Sequence, residues 1–302
     1  LIIRGADASR PVMLFLHGGP GSPETIFMKH YNQAIENDFV MVYWEQRGAG
    51  KSYTKDIPSE TMTFAQMMTD TREVAEYLAI RFGQEKVFLM GHSWGSLLGI
   101  LTAHAHPECF HAFFGVGQVA QQYRAERISL EWVREQAREQ QDQRSVKALA
   151  ALSLPDSLAD SNTWIKYLMR QRNYVNRFGG GITRETTGMW PLVKMVLKAR
   201  EYTMSDKLNF MKAGMFSLEH LWEGVIRTDL SHAIDSMQVP VFIFQGKYDY
   251  QTPHVVARAF YEQLRAPQKD FFTFGEAAHS PNMEDPTRFN AIISEIAASI
   301  RP

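Results

Sequence analysis

Short apolar runs alternate with stretches of helical spacing over the first third of the chain. Val12–Leu16, Phe39–Tyr43, Val87–Met90 and Ala112–Val116 carry almost no polar side chains, which predicts strands buried on both faces. Between the second and third of these, Phe64–Arg81 sets Met67, Met68, Val74, Tyr77 and Leu78 at intervals that share one helical face, and predicts a crossover helix. Two more strands come late, at Val241–Gln245 and Phe271–Phe274. Strands alternating with helices argue for a mostly parallel sheet flanked by helices, an α/β architecture. Each run ends in a polar loop, at the sheet edge where open α/β folds hold their ligands.

From Val119 to Val239 the β-rich runs stop. Glu126–Gln140 puts Ile128, Trp132, Val133 and Ala137 on one face, and Trp164–Val175 and Leu192–Tyr202 are amphipathic in the same way. The division expected is a sheet-bearing domain of residues 1–118 and 240–302 interrupted by a helical cap of residues 119–239. The cap holds four of the six tryptophans and seven of the fifteen methionines. Such residues suit an adaptable apolar pocket, although apolar positions at helical spacing more often pack helices on one another. Gly179-Gly180-Gly181 reads as a flexible loop within the cap, with a lid hinge as the less favoured reading.

Composition narrows the partners. The 302 residues, 45% of them hydrophobic, suffice for a full core, and the 32 basic and 33 acidic side chains nearly cancel. That balance gives no electrostatic footprint for nucleic acid or an anionic membrane, so a small molecule or short peptide is the expected partner. Cys109 is the only cysteine, which excludes an internal disulfide, a zinc knuckle and a C-x-x-C redox pair. No apolar stretch is long enough for a membrane helix. A cytoplasmic setting is therefore expected, but Leu1-Ile2-Ile3-Arg4 starts as if inside a strand, without an initiator methionine, which leaves room for a removed signal or anchor. Oligomeric state is not legible.

The chemistry centres on Gly91-His92-Ser93-Trp94-Gly95, a G-x-S-x-G pentapeptide between the strand Val87–Met90 and a small-residue helical segment. A serine on a tight strand-to-helix turn is pushed out of the sheet edge, and flanking glycines clear the space around it. Ser93 is thus the candidate nucleophile. It needs a base and a group to orient that base, which in this architecture follow in the order acid, then histidine. Asp249 ends one late strand and His279 follows the other, so both project from the same edge as Ser93; Glu276 and Asp285 stand as fallback acids. His104 and His106, two apart at a helix end, share no face for a metal, and His92 is assigned to packing. Neither metal nor cofactor is expected. Two N–H donors are needed for a developing oxyanion. Trp94, the residue after the nucleophile, should supply one, and Gly19 in His17-Gly18-Gly19-Pro20-Gly21 the other, with Gly18 as second choice.

The His17–Gly21 loop, the segment Glu45-Gln46-Arg47-Gly48-Ala49-Gly50-Lys51-Ser52 and the elbow Gly91–Ser96 together resemble the proline iminopeptidase group of α/β-hydrolases, a branch of the serine peptidases. The resemblance covers residues 1–118 and 240–302. It implies an α/β-hydrolase fold with an inserted cap, a Ser93/Asp249/His279 triad and an oxyanion hole from Gly19 and Trp94. The chain departs from the group twice. Glu45 stands where the group has Asp, and its carboxylate is expected to pair with Arg47. The cap also lacks the group's Ile-Glu-Asn-His-Tyr-like motif, whose glutamate receives the substrate's free amino group. Glu219 and Glu223, beside Trp222, are the substitutes considered, although solvated cap glutamates are the favoured reading. The first functional reading is accordingly an aminopeptidase that releases N-terminal residues from small peptides. The alternatives are an esterase or lactonase for bulky apolar esters and, remotely, a non-catalytic binding module.

Overall fold

The computed structural model describes residues 1–185 and 190–300; Met189, one of the cap methionines counted above, lies outside them. Its strands are β1 (Ile2–Arg4), β2 (Val12–Leu16), β3 (Val40–Trp44), β4 (Val87–His92), β5 (Phe110–Val116), β6 (Val241–Gly246) and β7 (Lys269–Phe274). They form one sheet in the order β1-β3-β2-β4-β5-β6-β7, in which β1 is antiparallel to β3 and every other pairing is parallel. The opening segment is therefore an edge strand.

Helices cover both faces, so the central strands bury nearly every side chain, the half-buried His111 of β5 excepted, as their continuous apolar runs require. Val12, Leu14 and Leu16 of β2 point into one core with Leu89 and Ile243. Met13 and Phe15 point into the other with Phe88, Met90, Phe114 and Phe242. The second core is strongly aromatic: Phe114 and Phe242 stack at 5.4 Å, and Phe244 meets Phe289 at 4.9 Å. One register irregularity, between Val87 and Leu89 where β4 meets β5, moves later residues of β5 by a place.

The helices before the cap are α1 (Thr25–Tyr31), α2 (Phe64–Phe82) and α3 (Trp94–Ala105). Helix α2 starts where the Thr63 hydroxyl accepts the Gln66 N–H and stops at Gly83, whose φ of 63° suits a residue without a side chain. It buries Met67, Ala75 and Leu78, whereas Tyr77, expected on the core face, is half exposed. Between β5 and β6 come α4 (Gln122–Glu139), α5 (Gln143–Ala150), α6 (Ser161–Arg177), α7 (Trp190–Lys198), α8 (Met204–Arg227) and α9 (Leu230–Ala233). After β6 come α10 (His254–Gln263), α11 (Pro281–Glu284) and α12 (Pro286–Ser299).

Two features of the inserted segment differ from the sequence reading. The helix expected over Leu192–Tyr202 ends at Lys198, because Thr203 and Asp206 form a reciprocal capping box that starts α8 instead. Helix α8 is the second, a helix that the sequence reading does not include: Met204, Leu208 and Met211 of its first half are exposed, while Leu221, Trp222, Val225 and Ile226 of its second half are buried. Met204, Leu208, Met211, Met215, Leu218, Trp222 and Val225 share one face of the helix, but only the later part of that face is covered by other elements.

Candidate active site

Ser93 sits at φ 53° and ψ −120°, one of two non-glycine residues with positive φ among those described. The strain is imposed by crossing elements. A Cβ on Gly91 would drive into the Gly95 carbonyl, and one on Gly95 into the Leu16 carbonyl of β2, so neither position tolerates a side chain. The turn is pinned by the Ser93 N–H to Val116 O bond at 2.8 Å and by the Ser96 hydroxyl, which donates to Ser93 O at 2.6 Å and accepts from Val119 N.

Asp249 and His279 arrive from loops after β6 and β7. Both are buried, and His279 Nδ1 donates to Asp249 Oδ2 at 2.8 Å. Asp249 is held from all sides: Oδ1 accepts the N–H groups of Gln251 and Thr252 at 2.9 Å, and Oδ2 accepts Gln245 Nε2 and the Thr252 hydroxyl at 2.8 Å. The His279 ring lies against Gly117, next to the Val116 carbonyl that receives the Ser93 N–H. Among the described contacts, no hydrogen bond joins the Ser93 hydroxyl to that ring, a looseness common in unliganded sites. The fallback acids stand elsewhere: Glu276 is exposed and paired with Arg184, and Asp285 caps α12 through the Arg288 N–H.

The glycine loop after β2 packs on the elbow; a Cβ on Gly18 would lie 3.0 Å from Ser93 Cβ. The Gly18 N–H is committed to Glu24 Oε1 at 2.8 Å. Among the described residues, neither the Gly19 N–H nor the Trp94 N–H has a hydrogen-bond partner, and both residues line the cavity beside Ser93. Gln46 braces this arrangement by donating to His17 O and accepting the Trp94 indole N–H at 2.8 Å.

Glu45 does not pair with Arg47. The Arg47 guanidinium forks onto Asp70 of α2 at 2.7 and 2.8 Å, while Glu45 accepts the Lys51 N–H and the Tyr202 hydroxyl at 2.5 and 2.6 Å. Being one methylene longer than Asp, Glu45 reaches the start of the loop that follows it and the segment between α7 and α8. It thereby helps seat the cap, as does Ser217 of α8, which donates to Gly48 O.

The cavity above Ser93 has a volume of about 270 Å³. Its far wall is built by α4, α6 and α8, through Gln122, Leu168, Met169, Arg172, Leu218 and Trp222 among others. Of the cap tryptophans, Trp222 lines it; Trp164 is wholly buried, Trp132 stacks on Tyr250 at 3.8 Å and Trp190 is exposed. Glu219 is exposed and Glu223 pairs with Arg227, and neither is among the lining residues. The cap carboxylate bonded to the cavity wall is instead Glu126, completely buried, which takes a forked bond from Arg172 and one from Gln122, both lining residues. Arg172 is held above its ordinary value because Glu126 outweighs its burial.

The Gly179–Gly181 segment is not a free loop. Gly180 O accepts the Tyr250 N–H at 2.9 Å and Gly181 O accepts the His279 N–H at 3.0 Å, so this stretch of cap is sewn to the loops of both Asp249 and His279. Glu284 completes the seam by accepting the Arg184 N–H at 2.6 Å and the Ala278 N–H at 2.7 Å. Burial pushes its carboxyl up to about 7.

The His92 assignment also changes: its ring is hydrogen-bonded at both nitrogens, to Glu24 and to His279 O, rather than serving as packing. Among the described residues no cluster of metal-ligating side chains occurs, and no helix is long and apolar enough to cross a membrane.

Comparison with known proteins places this geometry. A family model described as alpha/beta hydrolase fold matches residues 11–286. A probable aminopeptidase, YbaC of Bacillus subtilis (strain 168), is 31% identical over 300 residues, 98% of this chain and 92% of the relative. A proline iminopeptidase of Lactobacillus acidophilus is 25% identical over 284 residues, 89% of this chain and 85% of the relative. Among solved structures, a proline iminopeptidase of Mycobacterium smegmatis aligns over 99% of this chain and 93% of its own, with a TM-score of 0.69 at 15% identity, a likeness of fold.

Proposed function

Because the chain belongs to the alpha/beta hydrolase family, we propose that it is a serine hydrolase working through an acyl-enzyme, and an aminopeptidase that releases N-terminal residues from small peptides. The observation that carries the chemistry is the Asp249–His279 hydrogen bond, set beside a strained Ser93 that opens into a cavity roofed by the cap. In this reading His279 takes the Ser93 proton as the hydroxyl attacks the scissile carbonyl, and Asp249 fixes the ring so that Nε2 is the accepting nitrogen. The Gly19 and Trp94 N–H groups receive the oxyanion, and His279 then returns the proton to the leaving amine. Water repeats the sequence on the acyl-enzyme. The peptidase assignment is supported by the names of the relatives that align along most of the chain.

One observation favours a second reading, an esterase for bulky apolar esters. The cavity wall is largely apolar, and Glu126, the cap carboxylate bonded to it, is already neutralised by Arg172. An ester needs no partner for a free ammonium. The deciding assay compares proline arylamide, its N-acetylated form and a panel of aryl esters. Activity confined to the free-amine arylamide supports the peptidase; indifference to acetylation, or turnover of esters alone, replaces it with the esterase.

A further inference from the structure

Beneath the proposed machinery lies a second acid–histidine couple that the reaction itself does not use. Glu24, just ahead of α1, accepts the Gly18 N–H at 2.8 Å and His92 Nδ1 at 2.8 Å. His92, at the end of β4, turns its Nε2 to the His279 carbonyl at 3.1 Å, and the two imidazole rings lie 4.9 Å apart. Both partners of the His92 ring are acceptors. A neutral imidazole has one N–H and one lone pair, so it satisfies only one of them; the imidazolium, with two N–H groups, satisfies both.

We propose that Glu24 and His92 form a carboxylate–imidazolium pair that positions both sides of the site, Glu24 anchoring the Gly18–Gly19 oxyanion loop and His92 anchoring the backbone of His279. The inference rests on the hydrolase reading above for its effect on rate, though the charge state of the pair is measurable without it. Neither residue touches substrate; each acts through the residue that it holds. Electrostatics agree with the geometry. Burial pulls the ring down, yet the Glu24 carboxylate outweighs it and holds His92 above its ordinary value. Burial likewise pushes Glu24 up, and His92 with the Gly18 N–H reverses this to leave it below the usual carboxylate range. The other titratable groups facing the couple are His279 with Asp249 behind it, and His17 with Glu45 behind it. His17 is pushed down by burial, and it donates from Nδ1 to Gly18 O while Nε2 accepts the Gln46 N–H, so it is neutral and does not compete for Glu24.

The sign of the pH effect follows. His92 donates to His279 O while protonated, and that bond is lost as pH rises through the raised value, when Nε2 turns from donor to acceptor. Activity should therefore carry an alkaline limb set by His92. In Glu24→Gln the amide oxygen still accepts from one neighbour, but the negative charge is gone. The limb should move to lower pH by about one unit or more, with kcat down about 10- to 100-fold and KM little changed. Imidazole NMR on the full-length protein reads the ring directly. Two ring N–H signals for His92 at neutral pH in the parent, lost at lower pH in Glu24→Gln, are the expected result. A neutral His92 ring at pH 7 in the parent overturns the proposal whether or not the variant folds. So does a folded Glu24→Gln whose limb stays in place. A serine that fails to react with a fluorophosphonate would sink the hydrolase reading and leave the NMR result standing.

Discussion

Replacing Asp249 by Asn separates the orienting role of the carboxylate from its structural role. Its two oxygens take five donors: Gln251 N and Thr252 N at Oδ1, and Gln245 Nε2, the Thr252 hydroxyl and His279 Nδ1 at Oδ2. An amide must place its NH2 against one of these sets. At Oδ1 it meets two backbone N–H groups that have no freedom to turn. At Oδ2 the Thr252 hydroxyl can rotate, and Gln245 Nε2 keeps Thr252 O as an acceptor at 2.7 Å. Gln245 cannot flip, since its Oε1 accepts the Gln118 N–H at 2.8 Å. The amide nitrogen therefore settles at Oδ2, and His279 must present a lone pair at Nδ1 and carry its proton on Nε2. In that tautomer the ring cannot take the Ser93 proton. Loss of the orienting carboxylate in such a triad lowers kcat ~10⁴-fold. The stability loss should be only about 1–3 kcal/mol, one or two imperfectly paired buried donors, or a melting shift of a few degrees. The assay is steady-state turnover of an aryl ester or arylamide together with a thermal melt of the same preparation. A folded Asp249→Asn enzyme within about tenfold of the parent kcat would refute the orienting role.

Three further outcomes are expected. Ser93→Ala should keep the parent melting temperature while losing turnover and fluorophosphonate labelling; normal turnover would remove Ser93 as nucleophile. Gly95→Ala should destabilise by ~1–3 kcal/mol, because its methyl enters the Leu16 carbonyl, and should slow labelling of Ser93 as the elbow shifts; an unchanged melt would contradict the close approach. Glu284 holds its proton up to about 7 in the fold against an ordinary 4.5, so its contribution is complete below 4.5 and is lost as pH rises through about 7. Allowing for its partial exposure, roughly 1–2 kcal/mol of stability should disappear over that window, and Glu284→Gln, less stable throughout, should show a flatter stability–pH curve; parallel curves would count against the raised value.

The strands and the elbow were legible because local physics dictates them. Runs such as Val241–Gln245 are apolar on both faces, and few environments other than a doubly covered sheet accommodate them. The structure extends most of them by a residue or two, and the opening residues that read as the inside of a strand form the edge strand β1. The loop placement of Ser93, Asp249 and His279 followed from strand ends alone. By contrast, nothing local to His92 showed that Glu24, 68 positions away, would reach it. The same holds for Glu45, whose neighbour Arg47 looked like its partner and found Asp70 instead. Glu219 and Glu223 stand in the sequence as substitutes for the missing cap motif, while the helix crossing brings Arg172 to the cavity wall with Glu126 bonded behind it.

The sequence by itself determined the architecture and the elbow, since burial periodicity and the need for glycine at a tight turn are carried by neighbouring residues. Tertiary structure alone decided which charges meet: the Glu24–His92 couple, the Glu126–Arg172 pair and the seam from Gly180 and Gly181 to the loops of Asp249 and His279. Those contacts join residues many tens of positions apart. Their partners are chosen by how helices and loops pack over the sheet edge, and a buried charge accepts whichever opposite charge that packing brings within reach.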